Sequence, residues 1–73
     1  MQSDSPSMAD AETTLGNIRR AEVSLNSNTF PGDVSDRARA ALDAARQALN
    51  DGDRTKALAA STLAIELLAE ALH

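Results

Sequence analysis

From Val34 to Leu72 the chain contains no proline and a single glycine, Gly52, which stands between Asp51 and Asp53. No other feature limits the fold so tightly. Glycine adopts the left-handed conformation that ends a helix, and aspartate caps the start of the next one. Two helices joined by a tight turn at Gly52, an αα-hairpin, are therefore expected. The residues on either side favour the same state. The chain is rich in alanine, the best helix former, and holds two Val, two Ile and one Phe. Strands draw on β-branched and aromatic residues, so an all-α fold is expected.

A third helix is predicted ahead of the hairpin. Residues 1–6 read as a polar, disordered tail and residues 7–73 as one domain. Ser7 is a candidate N-cap, with Asp10 three residues on. Met8, Ala11, Leu15, Ile18, Ala21 and Leu25 recur at steps of three and four, which marks the first helix from about Met8 to Leu25. Gly16 weakens this helix by about 1 kcal/mol relative to alanine, and Val23 falls off its apolar face. The segment NSNTFPGD then breaks the pattern. Pro31 and Gly32 suit the centre of a type II turn, and Phe30, the one aromatic residue, is expected to plug the end of the bundle. The second helix should start with Asp33 or Ser35 as N-cap and run to about Asn50. Leu42 and Leu49 form its ridge, beside Ala38, Ala41, Ala45 and Ala48. Arg39, Asp43 and Arg46 form a charge-paired, solvated face. The expected fold is a small three-helix, up-down-up bundle built on the hairpin.

The third helix, from Asp53 to about Leu72, is apolar on more than one side. Leu58, Ser61, Ile65, Leu68 and Leu72 make one seam. Ala60, Leu63, Ala64, Leu67 and Ala71 make a second. Thr62, Glu66 and Glu70 form the polar strip. A helix with one neighbour needs one apolar stripe, so this helix should meet two. The expected core joins Leu42, Leu49, Leu58, Ile65 and Leu68, with Leu15 and Ile18 closing the third side. If the first helix leaves the second seam open, then Ala60, Leu63, Leu67 and Ala71 are the candidate protein-binding residues.

The stretch ARAALDAARQALNDGDRTKALAASTLAIEL, residues 38–67, resembles a tetratricopeptide-type helical hairpin. The matching elements are the Gly52-Asp53 turn, Ala57-Leu58 after it, and the closing Ala64-Ile65-Glu66-Leu67. The likeness covers less than half the chain. Alanines stand where the family has large aromatic side chains. It implies a helical hairpin and, by analogy, protein binding.

Other function classes lack their residues. The net charge is −4, and no third of the chain is basic, so the usual footprint for a phosphate backbone is missing. A helix-turn-helix would need apolar residues where Gln47, Asp51 and Asp53 stand. A calcium loop starting at Asp51 would reach Thr62, not glutamate, at its twelfth position. Glu66 and Glu70 lie one turn apart on the polar strip, where a solvated face is the simpler reading than acid–base chemistry. The single histidine, His73, ends the sequence, and there is no cysteine, so neither a nucleophile–base pair nor a thiolate metal site is expected. No cofactor and no catalytic residue are expected. The start MQSDSPSM has no basic n-region and no apolar core, so no signal peptide is expected, and no apolar run reaches the roughly 20 residues of a membrane span. The sequence thus reads as a cytoplasmic, non-enzymatic docking or assembly module. Its partner would be a helical segment of another protein or a second copy of itself. The competing reading is a small helical transcriptional regulator or nucleic-acid-associated protein.

Overall fold

The computed structural model describes residues 5–72, with side chains from 11 to 72. Three helices follow in order: α1 (Ser5–Ser27), α2 (Gly32–Asp51) and α3 (Arg54–Ala71). No strand occurs among the described residues. The fold is the expected all-α, three-helix bundle.

The hairpin turn forms as its residues dictate. Gly52 has φ 83°, the left-handed region. Its N–H donates to the Leu49 carbonyl at 3.1 Å, and the Asp53 N–H donates to the Ala48 carbonyl at 2.8 Å. This paired pattern is a Schellman motif, which satisfies carbonyls that the helix end would otherwise leave bare. The Asp53 carboxylate then accepts the Lys56 N–H at 3.1 Å and caps α3. Both aspartates beside Gly52 are thereby occupied structurally, since Asp51 accepts from the Gln47 amide at 3.3 Å.

The other connection differs from expectation. Gly32 is already the first residue of α2, and Gly52 has the only positive φ among the described residues. There is accordingly no type II turn at Pro31-Gly32. Pro31 itself is the N-cap, with φ −55° and ψ 148°, and no side chain caps the helix. Asp33 and Ser35 sit inside α2, where Asp33 places a negative charge in the first turn, complementing the helix dipole. The Ser35 N–H reaches the Pro31 carbonyl at 3.0 Å. Proline's fixed φ suffices to start the helix without a side-chain cap. At the far end of α1, Asn28 donates through its backbone N–H and its side-chain amide to the Ser24 carbonyl, each at 3.1 Å. The first helix begins at Ser5, ahead of the expected Met8, with Pro6 in its first turn where proline is tolerated. Ser7 therefore lies within the helix and does not cap it. Residues 1–4 of the expected tail lie outside the described residues.

The core is built mostly from alanine. Ile18, Ala21, Ala38, Ala41, Leu42, Ala45, Ala64 and Leu68 form one buried cluster. Leu25, Phe30, Val34, Leu49, Ala60 and Ile65 pack around it, partly buried. Phe30 thus turns inward from the α1–α2 connection, as expected. Small side chains let the helices approach closely, and α3 packs extensively against both α1 and α2. By contrast, α1 and α2 meet only sparingly. That asymmetry corrects the expected core. Leu15 is 56% exposed, because it lies on the flank of α1 that α2 leaves uncovered. Thr14 is buried in its stead. Leu49 and Ile65 sit at the edge of the core, half-buried; Leu58 is half-buried outside that cluster, and Leu72 is exposed.

Candidate protein-binding surface

At about 100° per residue, the buried positions of α3 define one face: Ala57, Ser61, Ala64 and Leu68. Two flanks border it. Leu58 and Ile65 lie on one, Ala60 and Leu67 on the other, and all four are half-buried. Leu63 stands beyond the second flank, about 130° round from the core face by helical geometry, and is 49% exposed. The four seam residues therefore divide. Ala60 packs against the core, Leu67 is half-buried, and Leu63 and Ala71 face solvent. Ala64, the fifth member of that seam, is fully buried.

The position of α1 explains the division. A hydrogen bond from the Asn17 side-chain amide to the Ser61 hydroxyl, at 3.3 Å, ties α1 to the first seam of α3. The Ser61 hydroxyl in turn donates to the Leu58 carbonyl at 2.9 Å. Nearby on α1, the Thr14 hydroxyl is buried without a hydrogen-bond partner. The first helix thus covers the Ser61 side of α3. Leu63, with Ala59 beside it, stays open.

A second feature is a cleft of about 540 Å³ between α1 and α2. Leu25 and Leu42 supply its apolar lining, and Glu22, Asn26, Arg39, Asp43 and Arg46 its polar rim. The Arg46 guanidinium pairs with the Glu22 carboxylate across it and stands 3.7 Å from Asp43 Oδ1. Both members of the Glu22–Arg46 pair are about half exposed, so water screens the attraction. Periodicity placed Arg39, Asp43 and Arg46 on one charged face, which the structure shows. It gave no hint of the bridge to Glu22, because that contact depends on how α1 lies against α2.

No three His, Asp or Glu side chains among the described residues converge to hold a metal ion. Glu66 and Glu70 are exposed, and His73 lies outside the described residues. No described helix is long and apolar enough to cross a membrane. Comparison with protein-family models, with curated proteins and with solved structures found no match to this chain.

Proposed function

We propose that this chain is a non-catalytic protein-interaction module that works through the outward seam of α3. One observation carries the reading. Leu63 is half exposed on a helix whose core face is already filled by two neighbours. With Ala71 and the open part of half-buried Leu67 it leaves an apolar strip that no described residue covers, and such strips on small proteins mark contact surfaces. The absence of a basic segment argues against nucleic acid as the partner. The likeness of α2 and α3 to a tetratricopeptide-type hairpin agrees with protein binding, and the chain's freedom from cysteine suits the cytoplasm.

The test is the double variant Leu63→Glu with Leu67→Glu. It should keep its far-UV circular dichroism spectrum and its cooperative melt while losing association, whether with a copy of itself or with a captured protein. Collapse of the helical signal would mean that the seam belongs to the core. Unchanged association would remove the seam as the working surface.

A further inference from the structure

We infer that the partner on this seam is a second copy of the chain, packed antiparallel along α3 with a two-fold axis at Leu63; the inference rests on the seam being the working surface. The charges on the strip support it. Lys56 lies seven residues before Leu63 and Glu70 seven residues after it. Seven residues are close to two helical turns, so all three share one line along the helix. Both charged side chains are exposed, and neither is in an ion pair with any described residue.

A two-fold axis through Leu63 makes each residue face its mirror position along the partner helix. Lys56 then meets the partner's Glu70, and Glu70 meets the partner's Lys56, giving two equivalent ion pairs. Between them, Ala59 faces the partner's Leu67, so each large side chain meets a small one. Leu63 meets its own copy on the axis. A self-complementary patch of this kind is what an isologous two-fold contact requires. A parallel pairing would set Lys56 against Lys56 and Glu70 against Glu70. It would also align the two helix dipoles side by side, whereas the antiparallel arrangement opposes them.

The size of the strip fixes the strength. From Lys56 to Glu70 the helix rises about 21 Å. A single helix pair of that length falls below the roughly 1,200 Å² of standard interfaces. The dimer is therefore weak and reversible, with dissociation in the micromolar to millimolar range.

Sedimentation equilibrium on the full chain, up to about 1 mM, tests this. The wild type should show a monomer–dimer equilibrium. Lys56→Glu alone and Glu70→Lys alone each turn both ion pairs into repulsions and should weaken the dimer about tenfold or more. The chain carrying Lys56→Glu and Glu70→Lys together restores both pairs and should dimerise like the wild type. Mixing the two single variants should give a heterodimer stronger than either homodimer. A wild type that remains monomeric at about 1 mM overturns the self-pairing and leaves the interaction surface standing for another partner. Single and double charge variants that all dimerise like the wild type overturn the Leu63-centred register. A dimer that survives Leu63→Glu, with helical content intact, overturns the inference and the proposed surface together.

Discussion

Thr14→Val isolates one atom's contribution to stability. Thr14 is fully buried between α1 and the core, and its hydroxyl oxygen has no hydrogen-bond partner. Burying an unpaired hydroxyl costs about 1–3 kcal/mol relative to leaving it in water. Valine has nearly the same shape and a similar helix propensity, so the substitution removes the polar atom and changes little else. Set against a total stability of roughly 4–11 kcal/mol for a domain of this length, that is a large gain. For a domain of this size each kcal/mol moves the melting temperature by about 4–8 °C, so a rise of at least about 4 °C is expected. Thermal denaturation followed by circular dichroism, with urea unfolding as a second measure, reads it. Thr14→Ser provides the control, since it keeps the hydroxyl and removes the methyl; it should lower stability by about 1 kcal/mol. A valine variant no more stable than the wild type would show that the hydroxyl is satisfied in solution, and the desolvation argument would fail.

Two further substitutions separate core from surface and test the turn. Leu68→Ala, at a site 2% exposed, should cost about 2–5 kcal/mol, whereas Leu15→Ala, at 56% exposure, should stay within about 0.5 kcal/mol; equal losses in urea titrations would contradict the placement of α1. Gly52→Ala adds a Cβ that meets no atom within 4 Å. Its penalty comes from the left-handed backbone alone, about 1–2 kcal/mol, and a variant as stable as the wild type by chemical denaturation would mean that the Schellman turn is not held.

Local chemistry and tertiary placement contributed unequally to what the sequence revealed. The Gly52 turn, the Asp53 cap and the alanine face of α2 were legible, because each depends on residues within a few positions of one another. The fate of Leu15 was not. Periodicity put it among the apolar positions of the first helix, but whether it is covered depends on how far α2 lies from α1. Thr14 shows the converse: one residue from Leu15 and polar, it is buried because that edge of α1 turns toward the core. The pairing of Pro31 with Gly32 invited a turn type that glycine permits but does not require, and the helix is capped at Pro31, two residues ahead of Asp33, the nearer of the two expected caps. On α3 the two apolar seams were visible. Which of them α1 would occupy was not, since Asn17 and Ser61 sit in separate helices with no sequence pattern to link them. The open strip around Leu63 was therefore legible only as one of two alternatives.

Seven of the ten buried apolar side chains among the described residues are alanines, and this bears on the chain's entropy. A buried leucine or isoleucine gives up about 0.5–1 kcal/mol of rotamer freedom on folding, while alanine has none to lose. The interior thus sets few side-chain torsions, and most of its ordering falls on the backbone, where alanine already favours the helical state. What such an interior lacks is slack. A methyl group has no alternative rotamer with which to make room, so any larger side chain at Ala38, Ala45 or Ala64 must move a whole helix. A displaced α3 would carry Leu63 and its flanking charges with it, and the alignment of the outer strip is therefore set by the smallness of the residues beneath it.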